Sequence, residues 1–169
     1  MFQKEANAIA LFPGGFGTHD EGFEILTLAQ TGKSDPQPII CLQAPGCDYW
    51  NDWSAFVVRQ LLTRKLINEE DMNLFVIVDS AEAAVNHILQ FYHRYHSIRF
   101  VGRQLAMRLR HAISSEQLEQ IRKQFADLLY DGTFELRGLS RKNSTNRPCV
   151  ICRGSCSTST GAVPADFAN

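Results

Sequence analysis

Residues 10–32 read ALFPGGFGTHDEGFEILTLAQTG, and the order of events inside that stretch decides the fold. An apolar run leads into three glycines within four positions, Gly14, Gly15 and Gly17, and a helical pattern follows at once. Phe23, Leu26 and Gln30 recur at helical spacing across residues 18–31, and Gly32 stands where a helix-terminating glycine belongs. Strand, glycine loop and helix in that order form a phosphate-site layout. Glycine lets backbone N–H groups turn toward an anion and lets the anion come close. The first turn of the helix adds unpaired donors and a partial positive charge. A tight turn that merely starts a helix is the simpler alternative.

The same rhythm continues outward. Residues 8–12, 39–43 and 74–78 are short runs rich in Ile, Val, Leu and Phe, as buried parallel strands are. Between and after them lie helical patterns at 53–63 and, capped by Ser80 or Asp79, through about Tyr95. Alternating strands and helices predict an α/β fold with a parallel sheet and right-handed crossovers. After Tyr95 the pattern changes. SIRFVGRQLAMRLR (97–110) suggests one or two strands, with a helix over 104–110 as competitor. SSEQLEQIRKQFADLLYDG (114–132) is a helix opened by a Ser114–Gln117 capping box, and TFELR (133–137) reads as a strand. From about Gly138 Ser, Thr, Asn, Gly and Arg dominate, too polar to offset the entropy of ordering. The expected organisation is a Rossmann-like half-domain at 1–97, an α+β extension at 98–137 and a disordered tail at 138–169.

Composition narrows the function. The chain has 169 residues and a net charge of −1, with no basic block, which argues against a nucleic-acid surface. No apolar run approaches the roughly 20 residues of a membrane span, and the N-terminus lacks a secretory layout. The chain reads as cytoplasmic. Five cysteines make an odd number, and Cys41 falls in a core strand, so a disulfide framework is not expected. Cys149, Cys152 and Cys156 form C-x2-C-x3-C, one ligand short of a tetrahedral zinc set. They read as exposed thiols of the tail, and no metal is expected. His87, His93 and His96 cluster on or just past the third helix and read as helix-surface or partner-facing residues. Tyr49 and Trp50 follow the second strand on its ligand side, suited either to touching a base or to aromatic packing.

Asp20, Glu21 and Glu24 crowd the glycine loop. Local physics offers a capping reading, since Thr18 and Glu21 have capping-box spacing and first-turn acids favour the helix dipole. The functional alternative is chemical. A carboxylate beside a phosphate repels it, whereas one beside a ribose stabilises the positive charge that grows as the bond to a base breaks. Glu21 and Glu24, three residues apart, share a helix face on which a ribose could lie.

The residues PGGFGTHDEGFE (13–24) match the motif P-G-G-x-G-T-x-x-E-x-x-E of the LOG (LONELY GUY) phosphoribohydrolase family, long labelled lysine decarboxylase-like. LAQTGKSDPQPIICL and DYWNDWSAFV are similar to the next elements of that family, and the resemblance covers about residues 2–137. It implies a Rossmann-like fold, a homodimer or higher oligomer, and hydrolysis of nucleoside 5′-monophosphates to free base and ribose 5-phosphate without a cofactor. It also implies phosphate binding by Gly14, Gly15, Gly17 and Thr18, with Glu21 as catalytic carboxylate and Glu24 as its companion. His19 stands where the family commonly has an apolar residue, and no role follows for it. A decarboxylase would need a Schiff-base lysine, and neither Lys4 nor Lys33 sits in such a context.

The resemblance further implies strands and a catalytic arginine before the position matching Met1. The first strand is apolar throughout, like a central strand, yet nothing before it could cover its free edge. The expectation is therefore the C-terminal part of a larger enzyme. The alternative, from another functional class, is a truncated, non-catalytic remnant that at most binds a nucleotide phosphate.

Overall fold

The structure, a computed structural model, describes residues 6–101, 104–126, 129, 132–137 and 149–153. The chain divides into two compact units between Phe91 and Tyr92.

In the first unit, β1 (Ile9–Leu11), β2 (Ile39–Leu42) and β3 (Val76–Val78) form a parallel sheet in the order β1-β2-β3. Ile9 pairs with Ile39 and Leu11 with Cys41; Ile40 pairs with Val76 and Leu42 with Val78. All three strands fall where the apolar runs predicted them. The central position belongs to β2, whose Ile39, Ile40 and Cys41 are almost fully buried. The run at 8–12, expected to have a free edge, is the edge strand among the described residues, with Ala10 exposed. Burial pushes the Cys41 thiol up to about 12, because the thiolate would lose its hydration there.

Helix α1 (Phe16–Gln30) packs Ile25 and the half-buried Phe23, Leu26 and Ala29 against this core. It ends where Gly32 takes φ +65°, a left-handed conformation that favours glycine. The Gly32 N–H then reaches Ala29 O at 3.1 Å and the Lys33 N–H reaches Leu28 O at 2.9 Å, which satisfies the last carbonyls in a Schellman arrangement. Helix α2 (Tyr49–Val57) starts four residues earlier than its periodicity predicts and runs on as a π turn over Val58–Leu62. A 3-10 helix (Glu69–Leu74) follows. Its Asp71 is buried and accepts from the Asn68 N–H at 2.8 Å and from Gln30 Nε2 at 2.7 Å, tying it to the end of α1. Helix α3 (Ala81–Arg94) opens after Ser80, whose hydroxyl accepts from the Ala83 N–H.

The second unit contains an antiparallel sheet in the order β4-β5-β7-β6, made of β4 (Tyr95–Val101), β5 (Gln104–Leu109), β6 (Thr133–Arg137) and β7 (Cys149–Arg153). The competing helix at 104–110 is thereby excluded. Helix α4 (Ser115–Gln124) carries the expected capping box in both directions between Ser114 and Gln117. Arg122 on α4 donates to Phe134 O of β6 at 2.9 Å and pairs with Glu119.

One expectation requires correction here. The tail is not structureless at Cys149–Arg153, which forms β7 between β5 and β6 and buries Val150. Pairing on both sides satisfies the backbone that a polar tail would otherwise leave to water. The rest of 138–169, Cys156 included, lies outside the described residues. Of the three histidines expected on or just past the third helix, His87 and His93 lie on α3, the His93 ring 4.6 Å from that of His111, and His96 follows on β4, its ring bonded to Ser97 Oγ at 2.8 Å. Among the described residues no helix is long and apolar enough to cross a membrane, and no cluster of His, Cys, Asp or Glu has metal-site spacing.

Candidate functional site

The glycine loop joins the C-terminal end of β1 to α1. Helix α1 begins at Phe16 with Gly15 as its N-cap, two residues before the Thr18 start expected from the sequence. The Gly15 carbonyl accepts from the Thr18 N–H at 3.1 Å and from the His19 N–H at 3.4 Å. The Thr18 amide is thus already engaged, and Glu21 does not fold back onto it. The capping reading of Asp20 and Glu21 is corrected: both lie beyond the cap, and no acidic residue occupies the first turn. The N–H groups of Gly15, Phe16 and Gly17 find no acceptor among the described residues.

The three loop glycines are not equivalent. A Cβ on Gly14 would stand 2.1 Å from Thr18 Oγ1 and 3.1 Å from Thr18 Cβ, so the Thr18 side chain itself requires glycine there. A Cβ on Gly15 or Gly17 would meet nothing within 4 Å. Neither has positive φ, and Gly15 is extended at φ −90°. Packing and backbone conformation therefore give no reason for glycine at these two positions. What glycine leaves there is open space at both Cβ places, in a loop whose amides at Gly15, Phe16 and Gly17 have no acceptor among the described residues.

Glu21 and Glu24 project from α1 as exposed side chains, one turn apart, and neither pairs with a cation among the described residues. The structure thus brings Gly14 and Thr18 into contact and leaves both carboxylates open to solvent near the start of the same helix.

The loop also has a support. Turn residues Ala44–Cys47 follow β2, with Pro45 and then Gly46 at φ +77° and the Cys47 N–H bonded to Ala44 O at 3.0 Å. That turn sets the start of α2. Gln43 at the end of β2 is buried and accepts from the Trp50 N–H at 2.8 Å, while Trp50 Nε1 donates to Leu42 O at 3.1 Å. Trp50 is 1% exposed, which makes it a rigid base for its neighbours. Tyr49 packs edge-on against it at 4.9 Å and donates its hydroxyl to Gly14 O at 2.6 Å. The same hydroxyl lies 2.9 Å from His19 Nε2, with the two rings stacked at 5.8 Å. Below, Trp50, Trp53 and Phe75 continue edge to face into the core.

Tyr49 therefore touches the loop instead of serving only as packing, and His19, to which no role was given, is part of the same contact. The signal that could have found them is an aromatic hydroxyl at the first turn after a neighbouring strand's C-terminal end, where ligand loops converge in parallel sheets.

Comparison with curated proteins gives no match. The family model described as "possible lysine decarboxylase" matches residues 1–88, slightly more than half of the 169-residue chain, and takes in all three parallel strands and the whole glycine loop. The chain is a member of the LOG-type "possible lysine decarboxylase" family, built on a Rossmann-like α/β unit.

Proposed function

We propose that the chain hydrolyses the N-glycosidic bond of nucleoside 5′-monophosphates, giving free base and ribose 5-phosphate. The observation that carries this reading is that the amides of Gly15, Phe16 and Gly17 have no acceptor among the described residues, in a loop whose Gly15 and Gly17 leave open space where a Cβ would stand. A phosphate fits such a place, since the amides and the helix dipole supply positive character without a side chain. With the phosphate on Gly14, Gly15, Gly17 and Thr18, the ribose reaches along α1 toward Glu21. The Glu21 carboxylate then stabilises the oxocarbenium-like ring and accepts a proton from the attacking water. The water oxygen bonds to C1′ as the C1′–N bond breaks, and the base leaves with the bonding pair and takes up a proton. Glu24, on the same face, adds negative charge or orients the ribose hydroxyls.

Lysine decarboxylation, the activity in the family's description, has less support. Lys33 and Lys65, the lysines described in this unit, are both exposed, whereas a Schiff-base lysine needs a desolvated or cation-flanked place.

A second reading, phosphate binding without turnover, has its own observation. β1 is the edge strand among the described residues, and no described strand on that side brings a further group to the leaving base. One experiment separates the two. The purified chain is incubated with AMP, GMP, CMP and UMP, free base is measured by chromatography, and ribose 5-phosphate binding is measured by titration. Base release that falls at least about a hundredfold in Glu21→Gln supports hydrolysis. Binding without release supports the second reading, and neither binding nor release refutes both.

A further inference from the structure

At Gly14–Gly15 two glycines adjoin and no Cβ opposes rotation, and a flip of the peptide plane between them would turn a carbonyl oxygen, not an amide, toward an incoming anion. Something must hold that plane. The Tyr49 hydroxyl has one hydrogen, and it goes to Gly14 O at 2.6 Å, an atom that only accepts. The contact at 2.9 Å between Tyr49 Oη and His19 Nε2 must then take its hydrogen from the imidazole, so His19 carries a proton on Nε2. The 14–15 peptide is trans, and a trans peptide points its C=O and N–H in opposite directions. Drawing the Gly14 carbonyl toward Tyr49 therefore aims the Gly15 N–H the other way. Tyr49 itself cannot drift, since its ring is wedged between His19 and the buried Trp50.

We propose that His19 is a positioning residue for the anion loop: His19 Nε2–H holds the Tyr49 hydroxyl, and the hydroxyl holds the Gly14 carbonyl in the one orientation that offers the Gly15 amide to a phosphate. This rests on the phosphate reading of the glycine loop given above. His19 touches no substrate atom and acts only through Tyr49. Glutamine is the conservative replacement, because its side-chain amide presents a donor near the place of Nε2. Leucine removes the donor and keeps the bulk.

The test uses the full chain and ribose 5-phosphate as probe, with circular dichroism confirming that each variant is folded. Nitrogen-15 NMR of the free chain shows His19 protonated on Nε2; a neutral ring protonated only on Nδ1 overturns the proposal without any ligand. Tyr49→Phe and His19→Leu shift the Gly15 amide resonance and weaken ribose 5-phosphate binding roughly tenfold, the effect of one lost hydrogen bond. His19→Gln stays within about threefold of the parent chain. In turnover the loss falls on KM with kcat nearly unchanged, as expected when binding shared by ground and transition states is removed. Equal weakening by His19→Gln and His19→Leu, or unchanged binding in both Tyr49→Phe and His19→Leu, overturns the proposal while leaving the phosphate reading intact. A parent chain that does not bind ribose 5-phosphate overturns the phosphate reading and this proposal with it.

Discussion

Replacing Gly17 with alanine separates what glycine does for the fold from what it does for a ligand. Gly17 lies in the first turn of α1, without positive φ, and an added Cβ meets nothing within 4 Å. In the free chain the substitution removes only unfolded-state freedom, which stabilises by about 0.5–1 kcal/mol. For a unit of this size that raises the melting midpoint by about 2–8 °C. In the bound chain the methyl group stands on the loop whose open amides would face the phosphate. A steric intrusion of that kind costs about 1–3 kcal/mol, or about 5- to 150-fold in affinity. The opposite behaviour is expected of Gly14→Ala, whose Cβ would press on Thr18 Oγ1 at 2.1 Å and Thr18 Cβ at 3.1 Å. The hydroxyl can rotate away but Cβ cannot, so Gly14→Ala lowers the midpoint. Melting followed by circular dichroism, with a ribose 5-phosphate titration of each variant, measures both quantities. If Gly17→Ala melts below the parent chain, or melts above it and binds as well as before, the reasoning from empty space is wrong.

Two further outcomes follow from the core. Cys41 stays a neutral thiol in the fold up to about 12 but ionises from 9.0 once unfolded, so its contribution is whole below pH 9 and is lost as pH rises toward 12, at up to 1.36 kcal/mol per pH unit; denaturant titrations across that range should show a shallower decline in Cys41→Ala, and identical slopes would refute it. Asp71→Ala removes the acceptor shared by the Asn68 N–H and Gln30 Nε2, which should destabilise by about 2–3 kcal/mol, and an unchanged urea midpoint would contradict that assignment.

Much of the first unit is visible in the sequence because its signals are local. Apolar runs bounded by turns place β1, β2 and β3 within two residues, and Gly32 marks the end of α1. The start of α1 is misread because Thr18 and Glu21 have cap spacing, while a glycine at the N-cap leaves no side-chain signature. The start of α2 is misread for a related reason: Asp48 sits at the N-cap without making a side-chain cap bond. What remains hidden is long-range. Strand β7 is five residues in a polar segment, stabilised by partners on β5 and β6 that no local window contains. His19 and Tyr49 are 30 residues apart, and only the fold brings imidazole, phenol and Gly14 carbonyl into one chain of hydrogen bonds. At the glycines the sequence identifies the motif, but the division of labour between Gly14, which Thr18 requires, and Gly15 and Gly17, which no neighbour requires, needs coordinates.

The column of rings from His19 down to Phe75 also gives the protein an optical reporter. The chain has two tryptophans, and Trp50 and Trp53 both stand in that column, so all indole emission originates in the first unit. Fluorescence can therefore follow the melting of this unit without signal from the antiparallel sheet. Tyr49, in contact with Trp50, lies close enough to pass its excitation to the indole, and a change in how its hydroxyl is held will register in the emission spectrum.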